Sequence, residues 1–268
     1  MKFSVVTISF NQAKWLGEAM DSVLSQQGVE IEYIVCDPGS TDGSRDLIEA
    51  VADPRMIRVF EKDSGPGDGL NKGFARASGD IWCYLNSDDA FLPGAFAKVA
   101  DYFARHPQVD VVTGHALAID HAGGVLRKVW SEPFDKWAVA TGAHVQIQPS
   151  TFFRAEAFRR TDGFDPEDRA SWDTGLLVAM HCAGARIAVI DEFLSCYRLH
   201  AESITMSGRL KERQTANMVD RFSRLVGRPY APRDRMIGQG YRLLKHLRWP
   251  HRALHRALRG PMTGRRPD

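Results

Sequence analysis

The first ninety residues alternate between short apolar runs and amphipathic stretches, and this alternation restricts the fold more than any other feature of the sequence. Between the first two runs, the apolar residues of "NQAKWLGEAMDSVLSQQ" fall on one helical stripe. Alternating strands and helices predict an α/β fold with a parallel sheet flanked by helices. The predicted strands are short and rich in β-branched residues: "FSVVTIS" (3–9), "IEYIVC" (31–36), "IRVFE" (57–61) and "IWCYL" (81–85).

Polar residues follow the predicted strands at the same end of each. In parallel sheets, ligands bind beyond the carboxyl ends of the strands, so we expect these residues to converge on one crevice. Each also has a structural alternative, since Asn11 could cap a helix, Asp37 could order a turn, and the Asp pair could form an Asx turn. The residues are Ser9, Asn11, Asp37, the loop 61–68, Asp88 and Asp89.

Two adjacent carboxylates, Asp88 and Asp89, stand where the fourth predicted strand ends. Like charges in neighbouring positions repel, so a cation or a hydroxyl-rich ligand is the expected partner. Mg²⁺ and Mn²⁺ prefer oxygen ligands, and they tolerate a site with one or two carboxylates when water and phosphate complete it. The pair therefore predicts a site for a cation or a hydroxyl-rich ligand at this strand end.

After residue 106 the pattern changes. The stretches "VDVVTGHALAID" and "GVLRKVW" predict an antiparallel pair joined by a turn at Gly123–Gly124. "SWDTGLLVAMHCAGA" predicts a helix with Asp173 near its start, and "RIAVIDEFLSCYRLH" predicts one or two late strands. We predict an α/β half at 1–106, a second half of the same domain at 107–206, and a basic helical extension at 207–268.

Seven stretches in chain order, over about residues 3–205, resemble the family-2 glycosyltransferases of the GT-A fold. This resemblance implies a Rossmann-like nucleotide-binding sheet and transfer of a sugar from a nucleotide diphosphate donor, with UDP-sugars the expected donors, and with inversion at the sugar. The same resemblance implies that 1–106 binds the nucleotide sugar, that 107–206 binds the acceptor and carries the catalytic base, and that the product belongs to cell-surface polysaccharide or glycolipid synthesis. The stretches are "SVVTISFNQAKWLGEAMDSVLSQ", "YIVCDPGSTDGS", "EKDSGPGDGLNKGFARASGD", "YLNSDDAF", "QPSTFFR", "GFDPEDRASWD" and "YRLHAESIT".

The resemblance also implies roles for individual residues on the donor side. Phe10 would lie against the base, and Asp37 would contact the base or its ribose. Asp89 is the first choice for a Mn²⁺ or Mg²⁺ ion and Asp88 for ribose, although the two roles could be exchanged, and His200 could reach the metal or a diphosphate oxygen. The complete expected donor set is Ser9, Phe10, Asn11, Asp37, Asp68, Asn71, Lys72 and Asp88, with Asp88, Asp89 and His200 for the metal.

Inversion by a single displacement requires a base that removes the proton of the acceptor hydroxyl. Asp173 matches the family's catalytic base, and a first-turn Asp that favours the helix dipole is the structural alternative. Nearby carboxylates that compete for this role are Asp165, Glu167 and Asp168. The residues expected to contact the acceptor are Gln148, Ser150 and Trp172.

The segment 207–268 holds 16 Lys and Arg against 4 Asp and Glu, whereas the rest of the chain is acidic. Pro250 is expected to divide its last part into two short helices. A basic amphipathic segment with Trp249 suits an anionic membrane surface, and an oligomer contact or a solvated face are the alternatives. Together with a glycan or lipid-linked acceptor, this predicts a cytoplasmic protein at the inner face of the plasma membrane.

Other function classes lack the motifs that they need. No P-loop and no G-x-G-x-x-G sequence is present, and no nucleic-acid-binding module is recognisable, so nucleic acid is not an expected partner. The alternatives that remain are a nucleotidyltransferase that forms sugar nucleotides and a non-catalytic binding module of the same fold. The four cysteines are scattered without metal-ligand spacing, and Cys36 and Cys83 are expected to be buried, reduced thiols.

Overall fold

The computed structural model describes residues 1–200 and 210–260, which form a mixed α/β fold around one nine-stranded sheet. The strand order is β3-β2-β1-β4-β8-β6-β9-β5, and β7 pairs with β6. The strands are β1 (Lys2–Ile8), β2 (Glu30–Cys36), β3 (Met56–Val59), β4 (Ile81–Asn86), β5 (Ala90–Phe91), β6 (Val111–Ile119), β7 (Val125–Val129), β8 (Thr151–Arg154) and β9 (Ile187–Arg198).

The four strands predicted in the first half of the chain are present, and they pair in parallel. Helices connect them, as parallel strands require. Gly73 lets the third helix approach the sheet closely, because a Cβ atom there would lie 2.4 Å from Val6 Cγ1. The helices of this half are α1 (Ala13–Leu24), α2 (Ser44–Ala50), α3 (Pro66–Phe74) and α4 (Ala95–Arg105).

The second half of the chain extends the same sheet. β8 pairs antiparallel with both β4 and β6, so it joins the two halves. The predicted hairpin is confirmed as β6 and β7, and the late apolar segment is one twelve-residue strand, β9. The helices here are α5 (Lys136–Ala140), α6 (Ala155–Arg159) and α7 (Trp172–Cys182), with a short 3₁₀ turn at Gln148–Ser150.

Aromatic side chains fill the core on both faces of the sheet. On one face, Phe3 stacks on Phe96 with ring centroids 5.1 Å apart. On the other, Phe74 stacks on Trp82 at the same separation. Burial of such large apolar side chains is the main stabilising term of the fold. The buried thiols of Cys36 and Cys83 belong to these clusters and are free, as predicted.

The described part of the basic extension is helical and packs on the domain. Its helices are α8 (Lys211–Val226), α9 (Asp234–Arg248) and α10 (Pro250–Arg259), so the predicted division at Pro250 is confirmed. α8 and α9 contact α5, and α10 contacts β7. No helix in the described ranges is both long enough and apolar enough to cross a membrane.

Asn11 does not cap the first helix, which corrects one alternative. The helix begins at Ala13, and its N-cap residue is Gln12, whose side chain makes no capping hydrogen bond. Asn11 instead takes a positive φ of 53° and its Oδ1 accepts a hydrogen bond from the backbone N–H of Thr41. Its own N–H donates to Ser40 Oγ. Asn11 therefore ties the loop after β1 to the loop after β2.

Candidate active site

A cavity of about 990 Å³ lies beyond the carboxyl ends of the parallel strands, where the strand-end residues were expected to meet. Residues from the first half, the second half and the basic extension line it. Its predicted lining residues are Ser9, Phe10, Asp88, Asp89, Gln148, Trp172, Asp173 and His200.

Two residues after β1 face this cavity with groups that the described protein leaves uncovered or without a hydrogen bond. Ser9 is buried, and its Oγ has no hydrogen-bond partner in the described part of the chain. The ring of Phe10 is 60% exposed although it is large and apolar. An unpaired hydroxyl beside an exposed aromatic ring is suited to a ligand with a flat ring and polar edges.

Asp37 lies at the end of β2, fully buried, one residue before Pro38 in the cavity wall. Its Oδ1 accepts hydrogen bonds from the backbone N–H groups of Gly39 and Ser40 and from Arg45. Asp37 therefore does order a turn, as the structural alternative expected. Its Oδ2 is buried and has no partner among the described residues, so this second oxygen retains one acceptor for a ligand.

Asp88 and Asp89 occupy the tight turn between β4 and β5, and their environments differ. Asp89 is buried, and its Oδ1 accepts a hydrogen bond from the backbone N–H of Arg198 at 2.9 Å. Burial and the neighbouring charge of Asp88 raise the pKa of Asp89 well above its ordinary value. Asp88 is partly exposed, and its Oδ2 lies 3.0 Å from Nε2 of His200.

The buried side chain of Arg198 holds this turn in place. Its Nε donates to the backbone carbonyl of Asp88, and its Nη2 pairs with Glu18 of α1 at 2.5 Å. Its guanidinium also partly offsets the negative charge of Asp89. His200 packs its ring on Trp15 with centroids 4.2 Å apart. Residues of α1 and of the end of β9 therefore fix the acidic pair.

These residues fit an open divalent metal site. Within residues 1–200 and 210–260, no three His, Cys, Asp or Glu side chains are arranged to hold an ion by themselves. Asp88 and Asp89 nevertheless supply carboxylate oxygens to one cavity wall, and Nδ1 of His200 is buried without a partner in the described structure. Such a donor set suits Mg²⁺ or Mn²⁺ when a ligand's phosphates and water complete the coordination.

Asp173 lies in the first turn of α7 and faces the same cavity. Burial raises the pKa of Asp173 above its ordinary value, although a backbone hydrogen bond from Thr174 and the charge of Arg221 act in the opposite direction. Gln146 reaches the backbone carbonyl of Asp173 at 3.5 Å. A carboxylate with a raised pKa at the edge of a cavity is suited to accept a proton.

The loop before Asp173 is bound by the basic extension. Nδ2 of Asn217 in α8 donates to Asp168 at 2.6 Å and to Oγ of Ser171 at 3.0 Å. Nη1 of Arg221, which is buried, donates to the same Ser171 oxygen at 2.7 Å. Asp168, a competitor for the role of base, thus uses its carboxylate to order the loop. The sequence predicts a helical extension but not this contact of α8, because no local signal links 217–221 to residue 173.

Several predicted site residues lie outside the cavity wall. Both amide atoms of Asn71 bond the backbone of Phe164, so Asn71 fixes the turn before α7 and is unavailable to a donor. Asp68 and Lys72 form an ion pair with each other at 2.8 Å. The loop at 61–68 reaches the cavity only through residues 62–66.

Two predicted acceptor residues also have structural partners. Ser150 is fully buried, and its Oγ donates to the carbonyl of His115 and bonds the hydroxyl of Ser195. Gln148 borders the cavity, but its amide bonds the Tyr84 carbonyl and the Asn86 side chain. Ser150 is therefore a wrong prediction for acceptor contact, since its hydroxyl is used inside the fold, and Gln148 supports the end of β4.

Sequence reasoning missed one complete wall of the cavity. This wall comes from β7 and from the last two helices, which lie more than 100 residues apart in the chain. A run of charges in a β-hairpin and another in a basic helix are ordinary surface features when each is considered alone. The cationic and aromatic residues concerned are Arg127, Lys128, Trp130, Lys245, His246, Trp249, Arg252, His255 and Arg256.

Comparisons with known proteins show the family of the chain. A family model described as glycosyl transferase family 2 matches residues 4–162. An uncharacterized glycosyltransferase of Nostoc sp. (strain PCC 7120) is 30% identical over 218 residues, which cover 77% of this chain and 67% of that protein. The succinoglycan biosynthesis protein ExoO of Rhizobium meliloti is 32% identical over 97 residues, 36% of this chain and 28% of its own.

Solved structures share the fold at low sequence identity. S. aureus TarS 1-349 in complex with UDP-GlcNAc has a TM-score of 0.68 and 18% identity, over 98% of this chain and 77% of that one. The mannosyltransferase PcManGT from Pyrobaculum calidifontis, in complex with GDP-Man and Mn²⁺, has a TM-score of 0.65 and 19% identity, over 96% and 73%. The fold is the GT-A fold of these neighbours, and the chain belongs to glycosyl transferase family 2.

Proposed function

We propose that this protein transfers a sugar from a nucleotide diphosphate donor, preferentially a UDP-sugar, to a hydroxyl group with inversion at the sugar. The observation that carries the proposal is that Asp173, whose pKa burial raises, lines the same cavity as the adjacent carboxylates Asp88 and Asp89. One acidic centre for the leaving group and one separate base are what a single displacement requires.

On the donor side, Phe10 stacks on the base, and Ser9 with the free Oδ2 of Asp37 contacts its edge or the ribose. The exposed ring, the unpaired hydroxyl and the unpaired carboxylate oxygen support this assignment. The TarS structure with UDP-GlcNAc and the PcManGT structure with GDP-Man are of the same fold, which supports a nucleotide sugar as the donor.

Asp88, Asp89 and His200 hold Mn²⁺ or Mg²⁺ together with the donor diphosphate. When bound, the ion supplies positive charge for the departing diphosphate. Arg198 keeps the two carboxylates in place, because its Nε donates to the backbone carbonyl of Asp88 and its backbone N–H donates to Asp89 Oδ1. A neighbour that binds Mn²⁺ with its donor supports the assignment.

Asp173 removes the proton from the acceptor hydroxyl as the new glycosidic bond forms. Its raised pKa makes it a stronger base than an exposed carboxylate, and its position in the first turn of α7 holds it at the cavity edge. Trp172, beside it, offers an aromatic surface to the acceptor. The Rhizobium relative, named for succinoglycan biosynthesis, supports a polysaccharide or glycolipid product.

A thermal-shift panel of nucleotide diphosphates with and without Mn²⁺ tests the donor site. The base is tested by the turnover of the Asp173→Asn variant, measured as the nucleotide diphosphate produced from the donor. UDP at 100 times its Kd should stabilise the chain by about 2.7 kcal/mol. For a chain of this size, that corresponds to a Tm increase of about 5 to 10 °C. Asp173→Asn should lower kcat by about 10² to 10⁴-fold while retaining the Tm shift. Near-normal turnover in this variant would disprove the base assignment.

We also infer that α9 places the enzyme on an anionic membrane surface. Its outward face carries Met236, Leu243 and Leu247, which are 73, 64 and 71% exposed. Their spacing of seven and four residues aligns them on one face of the helix. Seven Lys and Arg accompany one Asp between residues 234 and 259, which suits anionic headgroups.

Co-sedimentation with vesicles tests this membrane contact. Leu243→Gln with Leu247→Gln should lower binding to phosphatidylglycerol vesicles about tenfold or more, because two leucines lose their apolar burial. The matched control is Val125→Gln, an exposed apolar residue away from α9. Equal binding to neutral phosphatidylcholine vesicles, or a variant that changes only self-association, would contradict the proposal.

A further inference from the structure

Four cationic side chains line one side of the active-site cavity. Arg127 and Lys128 come from β7, and Arg252 and Arg256 lie one turn apart on α10. We refer to these four residues as the cationic wall. They belong to two elements that pack against each other, so the cluster is created by the docking of α10 on the hairpin.

The cationic wall has no internal counter-charge. Among residues 1–200 and 210–260, no carboxylate lies within 4.0 Å of any of its four side chains. The carboxylates whose charges act on Arg252 are Asp191, which is hydrogen-bonded to His115 at 2.9 Å, and Glu132, which pairs with Lys245 at 3.3 Å.

The cations also act on one another and on their neighbours. Burial lowers the pKa of Arg127, and the charge of Arg256 lowers it further. Burial lowers the pKa of His255, and Arg259, Lys128 and Arg127 add to that effect. Like charges that are held together in a partly buried place cost free energy unless an anion accompanies them.

One member of the cationic wall, Arg252, is held in place by its neighbours. The guanidinium of Arg252 lies over the rings of Trp249 and Trp130, at 4.7 and 5.7 Å from their centroids. Its Nη1 donates to the carbonyl of Ser131 at 3.2 Å. Because stacking and this hydrogen bond fix the side chain before any ligand arrives, little conformational entropy is lost on binding.

The cationic wall is connected to the side of the cavity that holds the base. In the segment after β7, the backbone N–H of Glu132 donates to the carbonyl of Val145. Gln146, which follows Val145, donates through its side chain to the carbonyl of Asp173. The carboxylates and the aromatic ring assigned to the donor, by contrast, lie at the ends of β1, β2 and β4, with His200 after β9. A group bound at the wall therefore belongs to the molecule whose hydroxyl Asp173 deprotonates.

We propose that the cationic wall binds a phosphate group of the acceptor, so that the acceptor substrate is phosphate-bearing, either as a lipid phosphate or as a phosphorylated glycan. This inference rests on the proposed transferase function and specifies its acceptor. Arg side chains suit this role because their planar donor pairs match phosphate oxygens.

Calorimetric titration of the full chain in saturating UDP and Mn²⁺ tests the proposal, since the donor site is then filled. The probes are geranyl phosphate and glucose 1-phosphate, with geraniol and methyl glucoside as their neutral counterparts. At least one phosphate should bind where its neutral counterpart does not, and the one that binds identifies the lipid or the glycan source. Lys128→Gln with Arg256→Gln should weaken that binding about tenfold or more.

Arg224→Gln with Arg235→Gln is the matched control, because both residues are exposed on the extension and lie outside the cavity. It removes the same charge and should leave binding unchanged. Absence of phosphate binding, equal binding to the Lys128/Arg256 variant, or binding that occurs only without UDP would overturn the proposal. A chain that fails to bind UDP itself would instead overturn the proposed function, so the two failures are distinguishable.

Discussion

Neighbouring carboxylates in the turn after β4 have acquired different properties from their surroundings. Asp89 is buried against the backbone of Arg198, whereas Asp88 is partly exposed and faces His200. The two carboxylates therefore have different environments, which suits them to different groups of a ligand. The assignment of Asp88 to ribose or to metal stays a prediction. A third carboxylate, Asp173, is held apart from them on a separate helix.

The first residue-scale prediction concerns Asp89→Asn. The amide oxygen can still accept the hydrogen bond from Arg198, so the fold of the turn should persist while the charge is lost. We expect UDP to bind about tenfold or more weakly in Mn²⁺, because a charged ligand group is removed. The measurement is the UDP Kd with Mn²⁺ and with EDTA. If the ratio of the two Kd values equals that of the wild type, Asp89 does not act through a metal.

The second prediction is the pH dependence of transfer. A base works only when it is deprotonated, and burial raises the pKa of Asp173 above the ordinary value of 3.8. Activity should therefore fall as pH decreases through this raised pKa, at a higher pH than an exposed aspartate would give. A profile of kcat/KM against pH measures the acid limb. An acid limb at or below the ordinary Asp pKa would contradict this prediction.

At the scale of elements, α8 is the part of the basic extension that supports the base. Asn217 and Arg221 bind the loop that leads into α7, and Arg221 also acts on Asp173 through its charge. We regard both as positioning residues, since neither lines the cavity. Through these two residues, helix α8 connects the extension to the loop that carries the base.

The third prediction separates the charge of Arg221 from the hydrogen bonds of α8. Arg221→Gln should move the acid limb of the pH profile to higher pH, because the charge that lowers the pKa of Asp173 is removed. Arg221→Lys should restore the limb. Asn217→Ala should reduce kcat without a comparable shift, since it removes hydrogen bonds and no charge. Identical profiles for all three variants would show that α8 has no electrostatic effect on the base.

At the scale of the whole molecule, one ionic network ties together the strands that carry the donor site. Glu32 of β2 accepts hydrogen bonds from Ser4 and Lys2 of β1 and from Ser78 before β4. Burial would raise the pKa of Glu32, but these hydrogen bonds outweigh it and lower the pKa from 4.5 to about 2. The network lies at the amino ends of the strands, whereas the cavity lies beyond their carboxyl ends. Its loss should therefore reduce the stability of the fold more than the rate of transfer.

The fourth prediction is a pH-dependent loss of stability in Glu32→Gln. A depressed folded-state pKa stabilises the protein above the unfolded value of 4.5, and this contribution is lost as pH falls toward about 2. The shift corresponds to about 3 kcal/mol at neutral pH. Urea unfolding at pH 7 and near pH 3 should show a large difference from the wild type that shrinks at the lower pH. Glu30→Gln, on the same strand but exposed, is the control and should have little effect at either pH.

Local patterns in the sequence were sufficient for the parallel half of the sheet, the hairpin at 123–124 and the helix break at Pro250. Each is encoded by a period or by a residue that acts over a few neighbours. The strand ends were predictable for the same reason, because parallel strands place their carboxyl ends on one edge. Ser9, Phe10, Asp88, Asp89 and Asp173 therefore reach the cavity as the sequence indicates.

Only the tertiary structure decided what each polar side chain contacts. The side chains of Asn71 and Ser150 are of a type that often binds ligands. In this fold, however, they form hydrogen bonds with backbone groups of distant segments. The cationic wall and the support from α8 join residues that are about 50 to 130 positions apart. Periodicity carries no information about such pairs, because a hydrogen bond or a shared charge depends on the distance between atoms after folding and not on their separation along the chain.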